Sequence, residues 1–109
     1  MTENLRELLL RYKTRCEDEL NGVPVKVIVF GSYARGDFRA DSDLDLMILA
    51  ELPPEKLVGY TDPIYDLTYD FEEESGLEIN PVIQSAQTYE YWKDVNPFFI
   101  NIEREGVDV

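Results

Sequence analysis

The first 30 residues combine an amphipathic stretch with a short apolar one. Between residues 3 and 20 the apolar side chains recur every three or four positions, which is the period of a helix with one buried face. Thr2 can cap the first turn, and Asn21-Gly22 can end the helix in a left-handed turn. Residues 25–30 are apolar at all positions but one, which predicts a strand buried on both faces, in the centre of a sheet that helices cover.

The middle of the chain predicts a second strand and a second long helix. Residues 33–42 are polar and predict at most one helical turn followed by a loop. Residues 43–49 begin with strict alternation and end as an apolar run, which is typical of a strand that enters a core. Pro53-Pro54 indicates a loop. A helix is predicted over residues 62–75, with Asp62 as its cap and a proline in its first turn.

The last third of the chain completes a small mixed α/β (α+β) fold. Residues 77–84 predict a third strand, and Pro81 places it at a sheet edge or in a bulge because proline cannot donate to a ladder. A short helix is predicted over 86–94, and another begins at Asn96-Pro97 and ends at Gly106. This order of elements predicts a small mixed sheet with helices packed on it, in a single domain that spans residues 1–109.

Histidine and cysteine usage excludes several kinds of active site. The chain has no histidine and one cysteine, Cys16, so it contains no Ser-His-Asp triad, Cys-His pair or His/Cys zinc site. No apolar run approaches the roughly 18 residues of a membrane span. The first residues also lack the basic and small-residue features of a signal peptide. These features predict a cytoplasmic protein.

The charge balance narrows the range of partners. Ten Lys and Arg residues face 23 Asp and Glu residues, which gives a formal net charge of −13. Such a chain repels the phosphate backbone of nucleic acids, so we expect no direct nucleic-acid binding. A basic protein partner, or an anionic ligand held through metal ions, is compatible with this charge. The same charge is equally well explained by solubility alone.

Two familiar loop motifs fail in the segment between the first two strands. Gly31 and Gly36 have the spacing of a phosphate-binding P-loop, but Asp37-Phe38 follows where that motif requires lysine and a hydroxyl residue. The alternating aspartates of residues 41–45 match the start of an EF-hand calcium loop. Leu46 then stands where the calcium loop requires glycine.

A paired-carboxylate site fits the same segment better. Asp43 and Asp45 lie two positions apart on the second predicted strand, so both carboxylates point to one face. Two carboxylates about 5 Å apart repel by about 3 kcal/mol at an effective dielectric of about 20, and a divalent cation offsets that repulsion. Oxygen ligands select Mg²⁺ or Mn²⁺, which also carry nucleotide phosphates. Gly31-Ser32, at the end of the neighbouring strand, allows a phosphate to approach the backbone and offers a hydroxyl group.

These residues resemble the active-site motif of the DNA polymerase β-like nucleotidyltransferases. The motif consists of Gly31-Ser32, ten intervening residues and Asp43-x-Asp45. The fuller strings Gly-Ser-Tyr-Ala-Arg-Gly-Asp and Ser-Asp-Leu-Asp-Leu resemble the minimal (MNT) branch, and the likeness extends to the closing residues 96–107. The resemblance implies nucleotidyl transfer from ATP or another nucleoside triphosphate. It assigns Gly31 and Ser32 to nucleotide binding, and Asp43 and Asp45 to catalysis and to Mg²⁺.

The resemblance also implies a partner. In many bacteria and archaea such small proteins look like antitoxins of HEPN-type ribonuclease toxins, which are inactivated by binding and by transfer of AMP to a tyrosine. Adenylyl transfer to a protein by an antitoxin is therefore the function that the resemblance implies for this chain.

The chain departs from the family pattern at a third carboxylate. The family places an aspartate on a following strand, where it acts as general base, and residues 77–82 contain none. Glu78 could reach in from two residues away, whereas the register of the apolar neighbours favours Asn80 at the aspartate position. Asn80 cannot accept a proton. The alternative function is therefore an acidic subunit with weakened chemistry that neutralises its partner by binding.

Other polar and aromatic residues near these segments have two interpretations each. Arg35 and Arg39 could contact phosphates or pair with neighbouring aspartates at the surface. Most of the tyrosines are expected to pack in the core. The aromatic residues of the segment 89–92 are also expected to pack, and a partner-binding patch is the alternative for them. The tyrosines expected to pack include Tyr65 and Tyr69.

Overall fold

The computed structural model describes residues 1–109 as a four-stranded mixed sheet with helices on both faces. The strands are β1 (Val25–Phe30), β2 (Leu44–Ala50), β3 (Ile79–Ser85) and β4 (Val107–Asp108). Their order across the sheet is β3-β2-β1-β4. β1 is antiparallel to both of its neighbours, whereas β2 and β3 are parallel. The predicted mixed sheet, with β1 inside it, is confirmed.

Six α-helices and one 3₁₀ turn accompany the strands. They are α1 (Glu3–Glu19), α2 (Ser32–Arg35), α3 (Pro54–Leu57), a 3₁₀ turn (Val58–Tyr60), α4 (Thr61–Ser75), α5 (Ala86–Trp92) and α6 (Pro97–Glu105). No helix is both long enough and apolar enough to cross a membrane.

The sheet separates two hydrophobic clusters, because successive strand residues point to opposite faces. The larger cluster joins the sheet to α1 and α4. It includes Leu9, Tyr12, Val27, Leu44, Leu46, Ile48, Ile64 and Phe71. The smaller cluster joins the other face to α5 and α6. It consists of Ile28, Met47, Leu49, Tyr89, Phe99 and Ile102. Both faces of β1 and β2 are therefore covered, as their apolar sequences predict.

Local signals near the chain start and at β3 are confirmed. The Thr2 hydroxyl accepts a hydrogen bond from the Leu5 backbone N–H at 3.2 Å and caps α1. Asn21 and Gly22, with φ of 57° and 87°, form the left-handed turn that ends the helix region. β3 is an edge strand, and Pro81 lies within it.

Two predictions about elements are wrong, and one strand was not predicted. Asp62 is not a cap, because α4 begins one residue earlier, at Thr61, and continues directly from the 3₁₀ turn. Pro53-Pro54 does not mark a simple loop, since Pro54 is the first residue of α3, a position where its missing N–H costs nothing. The sequence also did not predict β4, which has only two residues and therefore no periodicity.

The aromatic side chains differ from the prediction in which of them are buried and which are exposed. Tyr89 is buried, and its hydroxyl donates to Glu103 at 2.7 Å. Tyr91 and Trp92 on the same helix are exposed. On α4, Tyr65 and Tyr69 are 48% and 60% exposed, so neither packs in the core, contrary to the prediction.

Candidate functional site

The turn after β1 contacts the second strand directly. Gly31 has φ 72° and ψ −152°, a combination that only glycine adopts readily. A Cβ at this position would overlap the Oδ2 atom of Asp45. The antiparallel register explains the contact, because Phe30 pairs with Asp45. Gly31 is therefore required twice, by its backbone conformation and by the carboxylate that lies against it.

The two predicted aspartates lie at the open end of one sheet face. Asp43 is exposed and immediately precedes β2, while Asp45 is the second residue of the strand and is half-buried. Met47, on the face that Asp45 shares, packs into the cluster under α5 and α6. Leu44 and Leu46 point into the opposite cluster. The prediction that the aspartates oppose an apolar face is confirmed, although β2 begins one residue later than predicted.

β3 brings a third polar side chain to this end of the sheet. In the parallel register Asp45 pairs with Asn80. The side-chain amide of Asn80 donates to Asp45 Oδ1, with 3.1 Å between the two heavy atoms. Asn80, rather than Glu78, therefore lies alongside Asp45. Since an amide cannot accept a proton at neutral pH, Asn80 orients Asp45 and supplies no base.

Glu78 lies beside the other aspartate. The backbone N–H of Leu44 donates to the Glu78 carbonyl oxygen at 2.8 Å, which sets Glu78 opposite Asp43. The Asp43 carboxylate, within hydrogen-bonding reach and of like charge, raises the pKa of Glu78 above its ordinary value. The site thus contains two carboxylate–polar pairs side by side, Asp43 with Glu78 and Asp45 with Asn80.

The end of α4 fixes the start of β3. The half-buried Glu72 carboxylate accepts a hydrogen bond from the Ile79 backbone N–H at 2.8 Å. This contact joins the last turn of α4 to the strand residues that flank Asp43 and Asp45. Glu78 and Asn80 are therefore held by a helix as well as by the sheet.

A cleft of about 610 Å³ opens beside Asp43 between α4 and β3. We call it the acidic cleft. The residues that line it are Asp43, Tyr69, Glu72, Glu73, Gly76, Leu77, Glu78, Ile79 and Asn80. Four of them are carboxylates and none is a lysine or arginine, so the cleft repels phosphate and attracts cationic groups.

The arginines near the motif do not enter the acidic cleft. Arg35, on α2, forms ion pairs with Asp37 at 3.3 Å and with Glu105 at 3.5 Å. The hydrogen bond and the charge of Asp37 raise the pKa of Arg35. Of the two interpretations of Arg35, the structure shows surface pairing. The Arg39 backbone N–H donates to the Ser42 hydroxyl at 2.8 Å and shapes the loop before Asp43.

The donor set suits a magnesium ion only in combination with a substrate. No group of three or more Asp, Glu, Cys or His side chains has the arrangement of a metal site. Mg²⁺ is commonly held by one or two carboxylates together with the phosphates of a nucleotide. Asp43 and Asp45 supply those two carboxylates, and the turn that begins at Gly31 lies directly against Asp45. The residues present therefore fit a magnesium–nucleotide complex better than a free ion.

Comparison with known proteins identifies the family. The family model of the nucleotidyltransferase domain matches residues 9–106. This chain belongs to that family. Its mixed four-stranded sheet with flanking helices is consistent with the polymerase β-like nucleotidyltransferase fold, and membership points to a nucleoside triphosphate as substrate.

Three proteins of Methanocaldococcus jannaschii, each named "putative protein adenylyltransferase", are similar to this chain. One is 33% identical over 98% of this chain and 96% of its own length. A second is 28% identical over 94% of this chain and 95% of its own length. A third is 26% identical over 90% of this chain, which spans only 66% of that relative.

Two features of the site could not be predicted from the sequence. The contact between Gly31 and Asp45 needs the register of β1 and β2, which the motif spacing does not contain. The place of Tyr69 in the acidic cleft depends on how α4 packs against β3. The sequence held one indication that Tyr69 does not pack in the core, because this residue lies outside the apolar stripe formed by Ile64, Leu67 and Phe71.

Proposed function

We propose that this chain is a Mg²⁺-dependent nucleotidyltransferase that transfers AMP, or another nucleoside monophosphate, to a hydroxyl group of a protein. The observation that carries the proposal is the Gly31–Asp45 contact, which places the Gly31-Ser32 turn against one of the two paired carboxylates. The family membership and the names of the three relatives support the same reaction class.

The proposed roles follow from the positions of the side chains. Asp43 and Asp45 hold the magnesium ion, which when bound neutralises charge on the α-phosphate and polarises the attacking hydroxyl. Gly31 gives the triphosphate access to the backbone, and the Ser32 hydroxyl donates to it. Asn80 keeps Asp45 oriented through its 3.1 Å hydrogen bond. Glu78 is the carboxylate nearest in register to Asp43 and accepts the proton of the acceptor hydroxyl.

We further propose that the chain acts in the cytoplasm as a single minimal domain and as the antitoxin of a HEPN-type ribonuclease toxin. Support comes from the resemblance of residues 31–45 to the minimal branch and from the net charge of −13, which suits a basic protein partner. Nucleic acid is not expected to bind directly.

A second function is favoured by one observation. Asn80 lies beside Asp45, at the position to which the resemblance assigns the family's third carboxylate, and an amide cannot accept a proton there. An acidic subunit that binds ATP weakly and neutralises its partner by contact alone would retain this structure.

The deciding experiment combines the chain with its partner. The partner is a helical ribonuclease encoded beside this chain, incubated with it, ATP labelled at the α-phosphate and Mg²⁺. Transfer of label that EDTA prevents, and that Asp43→Asn abolishes, supports the enzyme. Neutralisation of the ribonuclease by the chain without ATP, and no label on any acceptor, supports the binding subunit and contradicts the enzyme.

A further inference from the structure

The acidic cleft contains one side-chain nucleophile. Among the nine residues that line it, only Tyr69 carries a hydroxyl group, and none carries an amine or a thiol. The side chain is 60% exposed, which leaves it accessible to a reactive phosphate. Tyr69 therefore shares a cleft with Asp43 and Glu78 and is the only group there able to be modified as an alcohol.

The helix that carries Tyr69 is anchored at its end. Tyr69 lies on α4, one turn before Glu72, whose hydrogen bond to the Ile79 N–H fixes the helix end to β3. The Glu73 carboxylate, within hydrogen-bonding reach of the phenol, raises the pKa of Tyr69. The phenol thus lies beside a carboxylate that can accept its proton as the phenol reacts.

Charge separates the two sides of the site. The four carboxylates of the acidic cleft repel a triphosphate, so the nucleotide approaches from the side of the Gly31-Ser32 turn, which lies against Asp45 and does not line the cleft. An acceptor can then reach Asp43 through the acidic cleft, which Tyr69 already lines.

We propose that Tyr69 is an acceptor of the nucleotidyl group within the same chain, an inference that rests on the proposed function. The Tyr69 Oη atom forms a bond to the α-phosphorus, and the bond from that phosphorus to the oxygen bridging the β-phosphorus breaks. Pyrophosphate leaves with the electron pair. For this acceptor within the chain the phenolic proton passes to its neighbour Glu73, whereas Glu78 serves an acceptor on the partner. The product is a phosphodiester between Tyr69 and the nucleoside.

The first test is site mapping. The full chain is incubated with ATP and Mg²⁺, and its intact mass and tryptic peptides are measured. We expect one AMP on Tyr69, at a rate independent of protein concentration because the acceptor is intramolecular. Tyr69→Phe should lose the modification. Tyr65→Phe should keep it, because Tyr65 is exposed on the same helix but lies outside the acidic cleft.

The outcomes separate this inference from the proposed function. AMP on another residue, or an unmodified chain that still adenylylates its partner, overturns the role of Tyr69 and leaves the proposed function standing. No Mg²⁺-dependent transfer to any acceptor overturns both.

A second test does not depend on turnover. Tyrosine nitration by tetranitromethane is followed with and without Mg²⁺ and α,β-methylene ATP, an analogue whose α–β bridge cannot be cleaved. We expect the analogue to slow nitration of Tyr69 several-fold and to leave Tyr65 unchanged. Equal nitration of Tyr69 with and without the analogue overturns the inference, because the bound α-phosphate then lies away from that side chain.

Discussion

The side-chain amide of Asn80 donates a hydrogen bond to Asp45, with 3.1 Å between Nδ2 and Oδ1. A neutral donor therefore lies at the strand position where a third negative charge would otherwise crowd the aspartates. The hydrogen bond offsets part of the cost of holding Asp43 and Asp45 close together without a metal ion. Because an amide cannot accept a proton, we expect the stability of the metal-free chain and the speed of the proposed transfer to be opposed at residue 80.

Replacing Asn80 by aspartate should lower the stability of the metal-free chain and speed up the proposed transfer. Asn80→Asp adds a carboxylate beside Asp45, so we expect tighter Mg²⁺ binding, faster transfer and a lower free energy of unfolding without metal. Calorimetric titration with Mg²⁺ and urea unfolding with and without Mg²⁺ measure the changes. Asn101→Asp adds the same charge on α6, away from the site, and is the matched control. If both variants bind Mg²⁺ equally, Asn80 does not border a metal site.

Asp43 and Asp45 should each be required for nucleotide binding, and neither should be required for folding. Asp43→Asn and Asp45→Asn are expected to abolish Mg²⁺-dependent ATP binding and any transfer. Because each removes a charge from a crowded pair, the metal-free chain should unfold at the same or a higher urea concentration. Asp41→Asn, in the exposed loop before Asp43, controls for the change in net charge. A large loss of stability in either variant would show that the pair is structural.

Alanine substitutions at two glycines can distinguish the cost of backbone strain from the effect of the contact with Asp45. Gly31 and Gly36 both have positive φ, 72° and 84°, but only a Cβ at Gly31 meets another residue. Gly36→Ala should cost about 1 kcal/mol of stability, from its left-handed backbone alone, and leave ATP binding intact. Gly31→Ala should cost about 1–3 kcal/mol from its backbone region, together with the displacement of Asp45, and lose binding.

Urea unfolding and ATP titration on both glycine variants provide the measurement. Equal losses of stability with ATP binding retained in both would mean that the Gly31–Asp45 contact is unimportant.

The pKa of Glu78 predicts a pH dependence of stability in the metal-free chain. Asp43 raises this pKa from 4.5, so the folded chain holds the Glu78 proton more tightly than the unfolded chain. Its contribution to stability is therefore present at low pH and is lost as the pH rises through the folded pKa. Glu78→Gln should match wild type in acid and become relatively more stable as the pH rises above about 4.5.

Urea midpoints measured in metal-free buffers from acidic to neutral pH test this dependence. Glu55→Gln, an exposed glutamate on α3 at the other end of β2, is the control and should show no such divergence. A constant difference between Glu78→Gln and wild type at every pH would place Glu78 away from Asp43.

The sequence predicted those parts of the fold that local chemistry determines. The Thr2 cap, the left-handed turn at Asn21-Gly22 and the edge position of β3 depend on single residues with strong backbone preferences. The Gly31-Ser32 and Asp45 segments meet because both lie at the same end of two paired strands. In each of these cases few residues had to be placed relative to one another.

Other features depend on tertiary contacts that the pattern does not contain. α3 and the 3₁₀ turn form where two prolines suggested a loop, because Leu57 is buried against the core and holds the chain in helical turns. β4 exists only because Val107 pairs with Val29 after α6 has returned to the sheet. The register of the apolar residues around Asn80 favoured its place beside Asp45. The hydrogen bond between these two residues and the position of Tyr69 could not be predicted without the packed structure.

Pro81 has a consequence for how other proteins can attach to this one. The Leu44 N–H bonds to the Glu78 carbonyl, so by alternation the main chain of residue 81 faces away from β2, and proline removes a donor from that outer border. The opposite border belongs to β4, which offers only two residues. Both borders therefore disfavour the addition of another strand. We expect recognition to use side chains on the helices and loops, and copies of the chain to have little tendency to join into continuous sheets.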